Sequence, residues 1–322
     1  VIPVALNKLQ AAIDYHADWL EVNLNAAIKM IRWLALLPIL LSTFALAQSP
    51  LEPRIFTLDG AWSLSGPDAF GAIPATVPGC VHTDLRRAGK IPDPFYRDNE
   101  KQIAWVSKAA WTYTRHFDLP AEFVKSRHIE LRCLGLETLA AIRINGAPIG
   151  ATDNMFRTWT FDVRHLLKSG DNTIQIQFLP LDGYIKKKAS QSTGPGTATN
   201  GIAEVRVEPC SNGWDFGPKF LTFGIWRPIE LLAWDEARLT DVYASADLRE
   251  TPLAKINVQV QAQIDDAANQ AGGTSAQAAK STPLSARCTV TLRGEEAARG
   301  SCDLSPDGRG SLCLPIAQPE LW

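Results

Sequence analysis

Trp111-Thr112-Tyr113-Thr114-Arg115-His116-Phe117 sets Trp111, Tyr113, Arg115 and Phe117 at every second position, with polar residues between them. Successive side chains of a strand point to opposite faces, so this period of two predicts a half-buried strand. Asn172-Thr173-Ile174-Gln175-Ile176-Gln177-Phe178 repeats the pattern through Ile174, Ile176 and Phe178. Shorter runs at residues 127–133 and 140–144 read the same way. Asn145-Gly146 then predicts a tight hairpin, because both central positions of a type I′ turn need positive φ. Between residues 51 and 234 no sustained helical stripe is visible, and only residues 81–88, introduced by Pro78-Gly79, predict a short helix. Many strands separated by regular turns indicate an all-β fold, a β-sandwich of jelly-roll type over residues 51–235.

Beyond Trp234 the pattern changes. Residues 241–248 and 254–264 read as strands, the second with Ile256, Val258, Val260, Ala262 and Ile264 on one face. Residues 265–283 are rich in Ala, Gly, Gln, Ser and Thr and predict a flexible loop. Further strands are expected at residues 288–292 and 308–314. Residues 236–322 therefore predict an incomplete immunoglobulin-like β-sandwich, since a complete one has about seven strands.

The 322 residues carry a net charge of -2 and are 46% hydrophobic and 20% charged, a globular composition. This balance offers no basic footprint for nucleic acid and no polybasic surface for anionic lipid. The six cysteines include no C-x-x-C pair, so neither a zinc ribbon nor a thioredoxin-type site is indicated, and no metal or cofactor is expected. A bridge between Cys302 and Cys313 within one hairpin stays open. At the N-terminus, Met30-Ile31-Arg32, an apolar run over residues 33–41 and Ala45-Leu46-Ala47 have the layout of a secretory signal peptide over residues 30–47, cut after Ala47. The run is shorter than the roughly 20 residues of a spanning helix, so the expectation is export without a membrane anchor. Residues 1–29 read as an upstream extension whose Leu9, Ile13, Leu20 and Leu24 match an amphipathic helix.

The stretch best suited to a ligand is Asn212-Gly213-Trp214-Asp215-Phe216-Gly217-Pro218. Glycines and a proline turn the backbone sharply around an indole and a carboxylate. An aromatic plate covers the C–H face of a pyranose, and a carboxylate accepts paired hydrogen bonds from neighbouring hydroxyls, so Trp214 and Asp215 suit a sugar. A buried tryptophan followed by a turn-forming aspartate is the alternative on residue types alone. Elsewhere, His82 and Asp84 lack a Gly-x-Ser-x-Gly partner and read as structural. Residues 93–100 read as a rigid extended segment over a sheet face, residues 192–197 as a surface loop without a Gly-Lys-Ser/Thr signature, and Lys186-Lys187-Lys188 as a solvated loop tip.

These pieces resemble the non-catalytic N-terminal part of the β-mannosidases of glycoside hydrolase family 2. The resemblance rests on Leu58-Asp59-Gly60-Ala61-Trp62, Val77-Pro78-Gly79-Cys80-Val81-His82-Thr83-Asp84-Leu85 and Ile91-Pro92-Asp93-Pro94-Phe95-Tyr96-Arg97-Asp98-Asn99-Glu100. It continues through Trp105-Val106, Gly135-Leu136-Glu137-Thr138, Asn154-Met155-Phe156-Arg157, Trp214-Asp215-Phe216-Gly217-Pro218 and Gly224-Ile225-Trp226-Arg227-Pro228. The family has Trp where this chain has Phe216. The resemblance implies a galactose-binding-like jelly roll, an immunoglobulin-like domain and then a (β/α)₈ barrel that hydrolyses terminal non-reducing β-D-mannose with retention. Retention needs two carboxyl groups about 5 to 5.5 Å apart, which in a barrel sit at strand C-terminal ends. By this reading the chain ends before the barrel, holds no catalytic residue and is inactive alone. Carried over by motif, Trp214 packs beside the bound mannose, Asp215 accepts from its hydroxyls, and Asn154 lies on a neighbouring loop. The expected partners are thus a β-mannoside and the missing barrel, and the expected location is extracellular, periplasmic or lysosomal. A stand-alone lectin-like protein and another family 2 glycosidase, acting on glucosaminides, galactosides or glucuronides, are the rival readings.

Overall fold

The structure, a computed structural model, describes residues 10–14, 53–67, 70–191, 203, 205–213, 217–219, 221–250, 253–265, 284–317 and 319, with the backbone alone at 10–14, 212 and 250. The chain divides into two compact units, Arg54–Ala233 and one formed by Val1–Pro53 with Trp234–Trp322. The first described element, β1 (Gln10–Asp14), belongs to the latter.

The Arg54–Ala233 unit opens with β2 (Arg54–Thr57), β3 (Gly60–Ser65), β4 (Ala72–Val77), α1 (Val81–Arg87) and α2 (Asn99–Ile103). It continues through β5 (Trp111–Leu119), α3 (Ala121–Val124), β6 (His128–Cys133), β7 (Leu136–Glu137), β8 (Ala140–Ile144), β9 (Ala147–Thr152), β10 (Trp159–Asp162) and β11 (Gly170–Phe178). It closes with α4 (Leu181–Gln191), β12 (Gly224–Ile225) and β13 (Ile229–Trp234). The strands form a six-stranded sheet, β4-β3-β5-β11-β8-β9, a four-stranded sheet, β10-β6-β13-β2, and the small pair β12-β7. Pairing is antiparallel, as in β5 against β11, where Trp111 faces Phe178 and Tyr113 faces Ile176. The alternation in β5 and β11 is the reason for this architecture. Trp111, Tyr113, Ile174, Ile176 and Phe178 turn one face into the core, where Ile129, Leu131 and Leu231 join the same buried cluster. Asn145 and Gly146 carry φ of 49° and 84°, the positive pair that the β8–β9 hairpin turn requires.

Two local readings differ from the structure. Lys186, Lys187 and Lys188 lie on α4 and not in a loop. Its apolar side is only Leu181 and Ile185, both buried, with Tyr184 packed against the core, so the stripe is too narrow to stand out in the sequence. Residues 94–98 form turns and a bend, with Pro94 buried and Phe95 72% and Tyr96 57% exposed, so this segment is not extended. Its turn is pinned by the Asp93 carboxylate, which accepts from the Phe95 amide at 3.1 Å and from Arg86 at 2.8 Å. Residues 192–197 lie outside the described residues.

His82 and Asp84 are both buried on α1. Asp84 is a tether: it accepts from the Thr76 amide at 3.1 Å, from the Tyr113 hydroxyl at 2.9 Å and from Arg87 at 3.1 Å. Burial pushes its carboxyl upward, and these bonds oppose that.

The second unit contains β14 (Ala237–Glu250), β15 (Leu253–Ile264), β16 (Ser285–Leu292), β17 (Glu295–Asp303) and β18 (Arg309–Ala317). They form two three-stranded sheets, β14-β15-β18 and β1-β16-β17, around a small cluster of Val258, Val260, Ala262, Ala286, Cys288, Leu304 and Leu314. The structure makes Gln10–Asp14 a strand paired with Ser285 to Thr289, where the sequence matched a helix, because an open sheet edge offers ladder hydrogen bonds that outweigh a weak stripe. The signal-peptide stretch, residues 30–47, lies outside the described residues, as does residues 266–283 of the predicted loop. All six cysteines are free thiols. Cys313 points outward between inward-facing Leu312 and Leu314, whereas Cys302 packs on the core, so the two do not bridge. Among the described residues no helix is long and apolar enough to cross a membrane.

Candidate functional site

Trp214 and Asp215 lie outside the described residues, but the chain leading to them and away from them is held at several points. On the upstream side Asn154 bridges Arg206 in parallel fashion, and the Met155 amide donates to the Arg206 carbonyl at 3.0 Å. The Glu208 amide donates to Met155 Sδ at 3.1 Å. A 3-10 turn, Pro209–Asn212, follows, and Gly213 closes it by donating to the Cys210 carbonyl at 3.0 Å. Gly213 has φ of 97°, a conformation that a side chain would strain, which explains the glycine directly before the indole. The Glu208 carboxylate accepts from the Ser211 hydroxyl at 3.0 Å and from the Cys210 thiol.

On the downstream side the Lys219 amide donates to the Glu100 carboxylate at 2.8 Å. The Lys219 stem lies against Gly213, where a Cβ would meet it at 3.3 Å. Residues 213 and 219 thus come together. Thr222 then donates from its hydroxyl to Glu137 Oε1 at 2.6 Å, and Gly224 and Ile225 pair with Glu137 and Leu136. The Phe223 and Ile225 carbonyls accept from the Val81 and Gly79 amides, which joins this return path to the start of α1.

Asn154 sits in a turn of its own. Its Oδ1 accepts from the Phe156 amide at 2.9 Å, and its carbonyl accepts from the Trp159 indole at 3.0 Å. The fold brings it beside Arg206, eight positions ahead of Trp214 in the chain. Trp226, following β12, donates to the Met155 carbonyl at 3.3 Å and carries the Arg227 guanidinium 4.2 Å over its ring. Trp111 and Trp234 are core residues, while Trp105, Trp159 and Trp226 are half-buried and packed on the core.

Glu137 lies in the Gly135-Leu136-Glu137-Thr138 motif without an expected task, and neither Thr222 nor Glu208 is singled out by residue type. Glu137 is 4% exposed, and burial pushes its carboxyl up to about 7; the Thr222 hydrogen bond opposes the shift and the Glu208 carboxylate adds to it. The signal was present in Leu136-Glu137-Thr138-Leu139, a carboxylate set in an apolar run. Charged residues are seldom buried without a dedicated partner.

The family of glycosyl hydrolase 2 galactose-binding domain-like sequences matches residues 62–227, half of the chain. The chain belongs to this family. Among curated relatives, the β-mannosidase of Bos taurus is 34% identical over 193 residues, which are 57% of this chain and 22% of that protein. β-Mannosidase B of Thermothelomyces thermophilus is 30% identical over 281 residues, 84% of this chain and 31% of that protein. The crystal structure of the β-D-mannosidase from Dictyoglomus thermophilum superimposes with a TM-score of 0.72 at 31% identity, covering 84% of this chain and 32% of that one. The chain therefore spans between about a fifth and a third of the length of the relatives it matches. The glycosyl hydrolase 2 match runs from β3 to the residue after Trp226, so it encloses Asn154, Glu137, Thr222 and the Trp214-Asp215 pair.

Proposed function

We propose that this chain is the sugar-pocket module of a β-mannosidase, with the hydrolytic carboxyl groups supplied by a (β/α)₈ barrel. The observation that supports this reading is the 30–34% identity to proteins named β-mannosidase, together with the fold shared with the Dictyoglomus enzyme. In this reading Trp214 packs its ring on the terminal mannose and Asp215 accepts hydrogen bonds from the sugar hydroxyls. Asn154 orients the neighbouring turn. The barrel supplies one carboxyl group as acid/base and one as nucleophile, which cleaves the terminal β-D-mannosidic bond with retention. The apolar run ahead of Ala47 directs export.

The test is a substitution in the whole enzyme. Asp215→Ala lowers kcat/KM on an aryl β-mannoside about a hundredfold or more, the cost of removing charge-assisted hydrogen bonds, while the melting temperature stays put. Unchanged kcat/KM would remove Asp215 from the pocket. Release of mannose by these 322 residues alone would overturn the assignment of the chemistry to a barrel.

A further inference from the structure

We propose that the second unit carries a carbohydrate-binding trough of its own, on the outward face of β14, β15 and β18, which takes a neutral oligosaccharide across Tyr243, Gln259 and Ser311. The trough uses none of the Trp214-Asp215 stretch, so it stands or falls apart from the pocket proposed above.

The face follows from register. Tyr243 pairs with Gln259 and Gln259 with Ser311, so these three form one row across the sheet. Asp241, Gln261 and Arg309 form the next row on the same face. Val242, Val260 and Leu312, which alternate with them, pack on the small core, so both rows point away from it. Together with the turn that follows β17, the rows line a cavity of about 1070 Å³. The second row is fixed to that turn. The Gln261 amide donates to the Asp307 carbonyl at 2.9 Å, its Oε1 accepts from Arg309 Nε at 3.2 Å, and the Arg309 amide donates to the Ser305 hydroxyl at 3.0 Å. The first row is free: among the described residues no hydrogen bond or ion pair engages the side chains of Tyr243, Gln259 or Ser311, and Tyr243 is 60% exposed. An exposed phenol ring covers the C–H face of a pyranose, while an amide and a hydroxyl each both donate to and accept from sugar hydroxyls. Neighbouring strands stand about 4.8 Å apart, so the row extends about 10 Å, the length of roughly two linked pyranose rings. Charge selects among sugars. Asp241 and Asp303 line the cavity, whereas Arg309 is paired with Asp307 at 3.3 Å, so carboxylates prevail and a uronate is repelled.

Titration of the 322-residue chain with mannohexaose, followed by amide NMR shifts, tests this. The amides of residues 241–243, 259–261 and 309–311 move together and fit one Kd of about 1 mM, the weak binding of an open site. Tyr243→Ala weakens that binding about tenfold or more, and Asp215→Ala leaves it as it is. An oligoglucuronate of equal length moves the same amides less at low salt, and the difference shrinks as salt is raised. Unmoved amides on β14, β15 and β18, or an unchanged Kd in Tyr243→Ala, overturns the proposal. If Tyr243→Ala does not fold, the same Kd in Gln259→Leu overturns it equally. Shifts of equal size with an extended glycine-serine peptide make the trough a peptide groove and overturn it as well. Shifts that persist on these three strands in Asp215→Ala keep the trough, even where the whole enzyme shows Asp215 to have no part in the pocket proposed above.

Discussion

Asp84 shows how one carboxylate joins three elements. It sits on α1, receives the Thr76 amide from β4, and takes the Tyr113 hydroxyl from β5. Asp84→Ala removes the acceptor of the Thr76 amide and strands the buried Tyr113 hydroxyl, and we expect a loss of about 3 kcal/mol in urea unfolding. Tyr113→Phe removes one of these bonds and should cost about 1 kcal/mol, with less than additive loss in the double variant because the sites share the interaction. Glu137 teaches a related lesson about what a sequence displays. Its residue type and apolar neighbours were visible, but its partner Thr222 stands 85 positions away, and no spacing rule connects the two. The Trp214-Asp215 pair is the reverse case, a local combination of residue types that the sequence displays while both positions lie outside the described residues.

At the scale of elements, hydrophobic alternation located β5, β8 and β11 well because each buries one face. It missed β17, whose Glu295, Glu296, Ala297, Ala298 and Arg299 include little to bury. That strand is set by the hairpin through Arg293 and Gly294, whose φ values of 53° and 90° provide the positive pair of a tight turn without the usual Asn-Gly spelling. It missed α4 for lack of a wide stripe. The pair β7-β12 depends on close backbone approach. A Cβ on Gly224 would stand 2.3 Å from the Gly79 carbonyl and 2.7 Å from Cys80 Cα, neither of which can swing away. Gly224→Ala should therefore destabilise the Arg54–Ala233 unit by about 3 kcal/mol in urea unfolding and release the residues 208–225 to exchange. Gly146→Ala, where nothing lies within 4 Å, meets only the strain of its φ of 84° and should cost about 1 kcal/mol.

On the scale of the whole molecule, two buried groups set opposing pH dependences. Glu137 titrates at about 7 in the folded chain against an ordinary value of 4.5, so its stabilising contribution is complete below about 4.5 and lost as the pH rises through about 7. His82 is lowered by burial to about 4 from 6.5, so its contribution is complete above about 6.5 and lost as the pH falls through about 4. Shifts of similar size and opposite effect leave their joint contribution nearly level between about pH 4.5 and 6.5. Removing one exposes the other: Glu137→Gln should lose about 2 kcal/mol more than the parent across that fall in pH, as read by urea midpoints. The units also differ in core. Arg54–Ala233 encloses a continuous cluster with Trp111, Tyr113, Phe178 and Phe223 at its centre, whereas the second unit closes on a few aliphatic residues and Cys288. Hydrogen exchange in rising urea should accordingly show the strands of the second unit opening first.

By itself the sequence determined the all-β class, the jelly-roll reading, the hairpin at Asn145-Gly146, and the ordered motifs that mark a glycosyl hydrolase 2 galactose-binding-like chain. Each of these is written in neighbouring residues, in a period of two, in turn chemistry or in motif order. Only the tertiary structure decided which strands share a sheet, that Asp84 ties α1 to β4 and β5, that Cys302 and Cys313 stay apart, and that Glu137 meets Thr222. Those outcomes depend on burial and on contacts between residues far apart in the chain. Local periodicity carries no record of either.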